Sequence, residues 1–311
     1  MVDVIIPTYR PGPELFDILD MLCRQTLKPG KIIIINTGER YIKDMLSEHT
    51  DLPDTLSVYN IDEDSFDHGG TRAMATGYSE ADIFVCMTQD AVPADERFIE
   101  ELTKPLSEED VAASYARQMP KPGCSVEESY TRNFNYPDES SVKSKEDIDR
   151  LGIKTYFCSN VSCAYRKDIY DELGGFVKKT IFNEDMIYAA SAIKAGFRIA
   201  YSAKAKVYHS HDYSAREQFR RNVDIGISQA EHPEVFDGLS SESEGKKLVL
   251  KTVGELCRTG HVLRIPGYMI KIVFRYAGFL TGKNYKKFPL SFIKKVSSNP
   301  LYFKEEKRCV E

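Results

Sequence analysis

Short apolar runs that end in polar residues recur along the first third of the chain. They cover residues 2–6, 31–35, 56–61 and 83–87, and each predicts a buried strand. Within residues 14–25, leucine and isoleucine recur at the spacing of one helical face. Because strands and helices alternate, the pattern predicts an α/β fold built on a doubly wound, mostly parallel sheet.

The rest of the chain divides by composition. Residues 105–150 are polar and lack strong periodicity, so we interpret them as a long excursion that shapes an acceptor site. Residues 239–245 are rich in Ser, Glu and Gly, which is typical of a linker. The predicted organisation is, in order, a body over residues 1–238 (a ligand-binding half, about 1–105, and an acceptor-side half, about 106–238), the linker over 239–245, and a basic, amphipathic helical tail over 246–311.

Charge is divided unevenly between the body and the tail. Residues 246–311 carry 15 Lys and Arg against 4 Asp and Glu, a net charge of +11. The rest of the chain carries a net charge of −16, so the total is −5. Arg264, Lys271 and Arg275 share one stripe of a helical pattern. We interpret the tail as an interfacial helix on an anionic membrane surface, with a solvated face on a docked helix as the alternative. The acidic body argues against nucleic acid as a partner.

Cysteine usage and the start of the chain bear on its location. Seven scattered cysteines without a Cys-x-x-Cys pair argue against a disulfide framework. The chain opens directly on its first predicted strand, so we expect no signal peptide, and no apolar run is long enough for a bilayer span. With the basic tail, these features predict a cytoplasmic protein that is peripheral on the inner face of the cell membrane.

Residues suited to binding or catalysis follow the predicted strands. Asp90 lies just past the run at residues 83–87, at the edge where open α/β sheets bind ligands, and a carboxylate there can hold a divalent cation. Each candidate also has a simpler explanation. Asp90 can be a structural cap, Glu184 and Asp185 can be favourable charges at a helix start, and His209 can be a packing residue.

The order of these features resembles the family 2 glycosyltransferases, which have the GT-A fold. The resemblance covers roughly residues 1–235, and no Gly-x-Gly-x-x-Gly or Walker pattern points to another nucleotide-binding class. Its motifs are Pro7-Thr8-Tyr9, Asn36-Thr37-Gly38, a glycine/arginine loop, Thr88-Gln89-Asp90, Gly174-Gly175-Phe176, Glu184-Asp185 and His209. More narrowly, Phe-x-His-Gly-Gly-x-Arg from Phe66, Thr-Gln-Asp-Ala-x-Pro from Thr88, and His-Ser-His from His209 are similar to bacterial rhamnosyltransferases that use dTDP-rhamnose to build cell-surface polysaccharide.

The resemblance implies a set of residues that bind the nucleotide-sugar donor. Thr8 and Tyr9 match the family's first loop, and Arg72 matches a basic residue near the base and phosphates. Asn36 stands where many members have an acidic residue that reads the pyrimidine, so the base is left open. The implied donor-binding set is Thr8, Tyr9, Asn36, Thr37, Asp67, Gly70, Arg72 and Gln89.

The resemblance also implies a metal site and a catalytic base. Asp90 matches the last carboxylate of the family's Asp-x-Asp motif and Thr88 replaces the first, so we expect His209 and water to complete a site for Mn²⁺ or Mg²⁺. Asp185 matches the base of the Glu-Asp pair, with Glu184 beside it as the second catalytic candidate. In inverting transfer the base removes the acceptor proton, and a cation stabilises the departing diphosphate.

The predicted function is therefore an inverting glycosyltransferase that moves rhamnose from dTDP-rhamnose onto a glycan acceptor. A lipid-linked acceptor would explain the membrane-binding tail over residues 246–311. A UDP-hexose donor is the alternative within the class. A nucleotidyltransferase is disfavoured, because such enzymes usually have a glycine-rich basic loop after the first strand and the loop at residues 7–12 has only one arginine. A noncatalytic glycan-binding or scaffold protein is a further alternative, and Thr88 in place of the first Asp of the metal motif supports it. A homo-oligomer is left open.

Overall fold

The computed structural model describes residues 1–47, 52–238 and 242–304, in which nine strands form one sheet. The strands are β1 (Val2–Tyr9), β2 (Ile32–Thr37), β3 (Leu56–Ile61), β4 (Ile83–Met87), β5 (Val92–Pro93), β6 (Val111–Met119), β7 (Ser141–Lys143), β8 (Ser162–Arg166) and β9 (Arg198–Tyr208). Their order is β3-β2-β1-β4-β8-β6-β9-β5, and β7 also pairs with β9. Strands β1 to β4 are parallel, whereas β8 is antiparallel to both neighbours. The predicted α/β fold with a mostly parallel sheet is confirmed.

Helices cover the sheet and build the C-terminal region. In the described residues they are α1 (Glu14–Cys23), α2 (Arg40–Ser47), α3 (His68–Thr76), α4 (Phe98–Thr103), α5 (Val126–Asn135), α6 (Ile148–Leu151), α7 (Lys167–Glu172), α8 (Glu184–Lys194), α9 (Ala215–Glu231), α10 (Pro233–Phe236), α11 (Glu242–Arg258), α12 (Ile265–Lys283) and α13 (Leu290–Val296). The predicted apolar stripe of α1, which includes Leu15 and Leu22, is buried.

Strand β2 shows why the sheet is covered on both sides. Ile33 and Ile35 belong to the core on one face, and Ile32 and Ile34 belong to the core on the other. Because successive side chains of a strand point to opposite faces, a continuous isoleucine run suits a strand between two covering layers. The parallel neighbours β1, β2 and β3 end in register at one edge of the sheet, where the candidate site lies.

Residues 105–150 contain regular structure that their weak periodicity did not predict, and their role in shaping an acceptor site stays a prediction. Strand β6 is largely buried inside the sheet, between β8 and β9, and α5, β7 and α6 follow it. Small residues such as Ala112, Ala113 and Ser114 make the run only weakly hydrophobic. Pairing with strands that lie far along the chain therefore determines β6 more than its local pattern does.

The C-terminal region packs against the body through α9, which confirms the predicted helical extension. The α9 and α12 backbones approach closely at Gly226, Gly278 and Gly282. A Cβ atom on Gly282 would lie 2.1 Å from the carbonyl oxygen of Val223. Ile293 of α13 joins Val223 in a small core. Larger residues at these glycines would therefore separate the two helices.

Two residues of the basic stripe, Arg264 and Lys271, lie beside the body, whereas Arg275 is exposed. Arg264 forms an ion pair with Glu127 of α5 at 2.9 Å, and Arg264 and Lys271 line a common cavity. The outward face of α12 is largely apolar. Its exposed apolar residues are Met269, Ile270, Val273, Phe274, Tyr276 and Leu280.

The predicted linker overlaps α11. This helix begins at Glu242, so residues 242–245 are helical, and residues 239–241 lie outside the described part of the chain. Glutamate is favourable in the first turn of a helix, which is why a Ser/Glu-rich stretch need not be a linker. The division into body and tail stays a prediction. Within the described residues, no helix combines the length and apolarity that crossing a membrane requires.

Candidate active site

The pairing of β5 with β9 brings three potential metal ligands together. Val92 pairs with Tyr208, so Asp90 lies beside the residues that follow β9. The Nε2 atom of His211 lies 3.0 Å from Oδ2 of Asp90, and the Nε2 atom of His209 lies 3.5 Å from the same oxygen. Ligand atoms of the three side chains lie within 4.8 Å of one another. We call Asp90, His209 and His211 the Asp-His-His cluster.

Gln118 of β6 determines how His209 faces this cluster. The Gln118 amide nitrogen donates to the hydroxyl of Ser159 at 3.0 Å, and its Oε1 atom lies 3.1 Å from Nδ1 of His209. An amide oxygen can only accept, so Nδ1 carries the proton and Nε2 presents a lone pair toward Asp90. Burial lowers the pKa of His209 to about 3, which keeps the ring neutral and able to ligate a cation.

The Asp-His-His cluster suits a divalent cation. The two Nε2 atoms of its histidines are 3.1 Å apart, an approach that needs a proton or a metal between their lone pairs. Burial opposes ionisation of Asp90, but the hydrogen bond from His211 holds the pKa of Asp90 well below its usual range. Sequence reasoning placed Asp90 and His209 in the metal site and missed His211. The His-x-His spacing, which puts both rings on one side of an extended segment, was the available signal.

The other half of the site lies at the start of α8. The backbone N–H of Asn160 donates to Oδ2 of Asp185 over 2.8 Å, and the Asn160 side-chain amide donates to Oε1 of Glu184 over 3.0 Å. The hydroxyl of Tyr165 donates to the Asn160 side-chain oxygen over 2.7 Å. Asn160 therefore orients both predicted catalytic carboxylates, and no sequence motif had pointed to it.

The surroundings of these carboxylates shift their pKa values in opposite directions. Burial and the charge of Glu184 raise the pKa of Asp185 to about 7. Burial acts on Glu184 in the same sense, but the ion pair with Arg72, at 3.1 Å, holds the pKa of Glu184 below its ordinary value. A half-buried carboxylate with a pKa near neutrality suits a general base. The geometry thus favours Asp185 as the base and Glu184 as the group that positions it.

Arg72 lies inside the protein rather than at an open phosphate site. Its surface is 5% exposed, and besides the ion pair its Nη1 atom donates to the carbonyl of His68 over 3.0 Å. Removing a buried cation from its carboxylate partner is costly, so this guanidinium is committed to Glu184. Its predicted contact with the donor stays a prediction.

Asp67 and Gly70 anchor the loop that leads to α8. Asp67 caps α3 by accepting from the N–H groups of Gly69 and Gly70, and it accepts from the N–H of Thr180 over 3.1 Å. A Cβ atom on Gly70 would lie 2.6 Å from the carbonyl oxygen of Lys178. Both residues therefore have a structural reason to be present, and their donor contact stays a prediction.

Three of the predicted donor residues at the ends of β1 and β2 are buried, namely Thr8, Asn36 and Thr37. Asn36 accepts from the hydroxyl of Thr8 and donates to the carbonyl of Gly38 and the side-chain oxygen of Asn60. Both hydrogens of its amide are used, which argues against Asn36 as the residue that reads a base. The hydroxyl of Thr37 is buried without a partner among the described residues, so it remains available to a ligand.

Tyr9 and Gln89 lie at the open edge of the sheet. The Tyr9 N–H donates to the Gln89 side-chain oxygen over 2.8 Å, and the Gln89 amide donates back to the Tyr9 carbonyl over 3.0 Å. The Tyr9 ring is 43% exposed and contacts the guanidinium of Arg10 and the ring of Tyr41. An exposed aromatic ring beside a cation is suited to stacking on a nucleobase.

Two sets of hydrogen bonds, one in each half of the site, meet at the adjacent residues Ser159 and Asn160. Gln118 orients His209 and donates to Ser159, and the next residue, Asn160, holds Asp185. The segment of Ser159 and Asn160 thus contributes to the orientation of both His209 and Asp185. A displacement with an anionic leaving group requires a base and a positive charge.

The chain belongs to glycosyl transferase family 2, whose family model matches residues 3–174, and it is therefore a glycosyltransferase. The predicted family is confirmed. The chain is 38% identical over 294 residues to the O-antigen chain rhamnosyltransferase RfbN of Salmonella typhimurium, covering 93% of this chain and 92% of that relative. It is 35% identical to the O-antigen chain rhamnosyltransferase WbaN of Salmonella anatum, covering 93% of this chain and 91% of WbaN.

Solved glycosyltransferases share the fold. The mannosyltransferase PcManGT from Pyrobaculum calidifontis, solved with GDP-Man and Mn²⁺, has a TM-score of 0.61 at 15% identity, with 92% of this chain and 87% of that chain covered. S. aureus TarS 1-349, solved with UDP-GlcNAc, has a TM-score of 0.50 at 15% identity, with 92% and 91% covered. At these identities the likeness confirms the GT-A fold alone.

Proposed function

We propose that this protein transfers rhamnose from dTDP-rhamnose to a glycan acceptor, with inversion, in the synthesis of a cell-surface polysaccharide. Two relatives that match nearly the whole chain are named as O-antigen chain rhamnosyltransferases. The structural observation that carries the proposal is that the adjacent residues Ser159 and Asn160 hold Asp185 and, through Gln118, His209 of the Asp-His-His cluster. A base and a cation site are the two groups that this displacement needs.

In the proposed reaction, Asp185 accepts the proton of the acceptor hydroxyl while that oxygen attacks the anomeric carbon. The new glycosidic bond forms as the bond to the diphosphate breaks, and dTDP departs with the electron pair of that bond. The raised pKa of Asp185 makes its carboxylate a stronger base than an ordinary aspartate. Asn160 and Glu184 act as positioning residues, because each acts through Asp185.

Asp90, His209 and His211 would hold the divalent cation. When bound, the cation supplies positive charge that stabilises the leaving diphosphate. We propose Mn²⁺ rather than Mg²⁺, because Mg²⁺ prefers oxygen ligands in near-ideal octahedral geometry and this site offers two imidazoles. The presence of Mn²⁺ in the mannosyltransferase of the same fold supports this choice.

We also propose that the protein works at the inner face of the cell membrane through its C-terminal region. Ile270 and Val273 on the outward face of α12 are 55% and 61% exposed. Exposed lysines at Lys286, Lys287 and Lys295 add positive charge to the same region. An apolar helix face with nearby cations is typical of a segment that lies in a membrane interface.

Nucleotide release from a panel of dTDP- and UDP-sugars, with Mn²⁺ and a glycan acceptor, tests the proposed reaction. We expect dTDP-rhamnose to be turned over fastest and excess chelator to stop turnover. Faster nucleotide release from a UDP-hexose would assign that sugar as the donor in place of dTDP-rhamnose. Full activity in excess chelator would contradict the need for a metal ion. Binding of a nucleotide-sugar without any turnover would favour a noncatalytic glycan-binding protein.

A further inference from the structure

Asn36 is sealed inside the protein and is not free to read the base of a nucleotide. Its side chain is 0% exposed, and both hydrogens of its amide are donated to Gly38 and Asn60. Thymine and uracil carry a hydrogen on N3, so a group that recognises them at this atom must be an acceptor. That acceptor has to come from another residue at the same edge of the sheet.

Glu63 is a carboxylate at this edge. It lies two residues past β3, and a Cβ atom on Gly38 would lie 3.5 Å from its Cγ atom, so its side chain covers the turn that ends β2. Its Oε2 atom accepts from the hydroxyl of Tyr9 over 3.4 Å, and its Oε1 atom accepts from the hydroxyl of Tyr41 over 3.1 Å. Glu63 therefore contacts the exposed ring that is suited to stacking on a base.

The two oxygens of Glu63 are used unequally. Oε1 accepts from Tyr41 and also from the guanidinium of Arg40 at 2.5 Å. Among the described residues, Oε2 accepts only the long hydrogen bond from Tyr9. Each carboxylate oxygen can accept two hydrogen bonds, and the Glu63 side chain is 33% exposed. Oε2 therefore keeps the capacity to accept from a donor that arrives from solvent.

Arg10 completes the surroundings of this carboxylate. Its guanidinium lies 5.0 Å from the ring centroid of Tyr9 and 4.8 Å from that of Tyr41, and it donates to the Tyr41 hydroxyl over 2.9 Å. The backbone of Arg10 has a φ of +48°, which side chains other than glycine rarely adopt. Such conformations cluster where a ligand is held. We call Tyr9, Arg10, Tyr41 and Glu63 the aromatic corner.

We propose that Glu63 reads the pyrimidine base of the donor by accepting the N3 hydrogen at Oε2, while the base stacks on Tyr9. This inference rests on the proposed function, which supplies a thymine nucleotide. The aromatic corner then selects thymine and uracil over cytosine, because N3 of cytosine carries a lone pair that a carboxylate repels. Glu63 is thus a specificity-determining residue, and it takes the place that Asn36 leaves open.

Isothermal titration calorimetry of the full chain with dTDP and with dCDP, each in the presence of Mn²⁺, tests the inference. Wild type should bind dTDP about tenfold or more tightly than dCDP, the value of one hydrogen bond to a charged group. Glu63→Gln has nearly the same shape, but its amide can donate as well as accept. The ratio of the two affinities should therefore fall by about tenfold in this variant. Binding of dUDP, which keeps the N3 hydrogen and lacks the methyl group, should follow that of dTDP.

The ratio separates base reading from a structural role of Glu63. A loosened corner weakens both nucleotides alike and leaves the ratio unchanged, whereas a lost N3 contact weakens dTDP alone. Glu39→Gln is the matched control, since Glu39 is an exposed carboxylate next to Gly38, and it should keep the wild-type ratio. Thermal unfolding checks that each variant is folded.

Two results would overturn the inference: a ratio in Glu63→Gln equal to that of wild type, or a wild type that binds dTDP and dCDP equally. If such a protein still releases dTDP from dTDP-rhamnose, the proposed function stands and only the role of Glu63 fails. A wild type that binds none of these nucleotides and turns over no nucleotide-sugar would overturn both.

Discussion

The Oε1 atom of Gln118 lies 3.1 Å from Nδ1 of His209, and this contact selects the nitrogen that His209 offers to a cation. Gln118 is 2% exposed and its amide nitrogen is already bonded to Ser159. The glutamine therefore cannot turn its oxygen away without losing a buried hydrogen bond. A residue outside the Asp-His-His cluster thus sets the tautomer of a predicted metal ligand.

Gln118→Met should reduce the affinity for Mn²⁺ by about 10- to 100-fold, the usual effect of removing a partner that orients a metal-ligating histidine. Titration of Mn²⁺ followed by electron paramagnetic resonance measures this directly. Gln118→Glu keeps an accepting oxygen opposite Nδ1 and should retain most of the affinity. Equal affinity of wild type and Gln118→Met would contradict the role of this contact.

Asp185→Asn should lower the turnover number by about 10²- to 10⁴-fold, because the amide cannot accept the proton of the acceptor hydroxyl. Binding of dTDP-rhamnose should persist, since Asp185 is assigned to the acceptor side of the reaction. Asp168→Asn, an exposed carboxylate in the first turn of α7, is the matched control. Turnover close to wild type at saturating acceptor would remove Asp185 from the role of base.

Features of the fold that depend on residues close together along the chain could be predicted from the sequence. The isoleucine run at residues 32–35 predicted a strand covered on both faces, and both faces are covered. The order of motifs predicted the family and brought Asp90 and His209 to one site. The predictions of the covered strand and of the family hold because apolar periodicity and chain order are visible without knowledge of distant contacts, whereas the metal-binding role of Asp90 and His209 stays a prediction.

Features that depend on residues far apart along the chain could not be predicted. The guanidinium of Arg72 pairs with Glu184, 112 positions further along the chain, and no local pattern indicated this contact. Gln118 was missed because β6 is a strand through its pairing with β8 and β9 rather than through its own pattern. The helical period of the basic stripe in α12 was visible, but which side of the helix faces the body was not, because packing at Gly278 and Gly282 determines it.

The ratio kcat/KM should rise with pH through about 7 and level off above it. The pKa of Asp185 is raised to about 7, so the carboxylate is protonated and inactive below this pH and ionised above it. In Glu184→Gln the repelling charge is gone and Arg72 is left unpaired, and both changes favour the ionised form of Asp185. The rising limb should therefore move to lower pH in this variant. If the rise of kcat/KM occurs at the same pH in this variant as in wild type, a group other than Asp185 controls the pH dependence.

The outward face of α12 should bind anionic membranes mainly through its apolar residues. Arg264 and Lys271 of the basic stripe lie beside the body, so Arg275 and the lysines outside this stripe supply the remaining attraction, at about 1 kcal/mol for each basic residue near the surface. Sedimentation of the intact protein with liposomes of varied anionic content measures binding, and high salt should weaken it without abolishing it, because screening acts only on the charges.

Substitution of this face separates the apolar contribution from the charge. The double variant Ile270→Asp, Val273→Asp should lose most of the liposome binding, since both side chains are exposed. Leu27→Asp is the matched control, because Leu27 is a similarly exposed apolar residue in the body, at 40%. If the double variant sediments like wild type, or if wild type ignores anionic lipid at low salt, the outward face of α12 does not bind the membrane. A concentration-dependent change in mass that the double variant abolishes would then assign this face to contact between two copies of the chain.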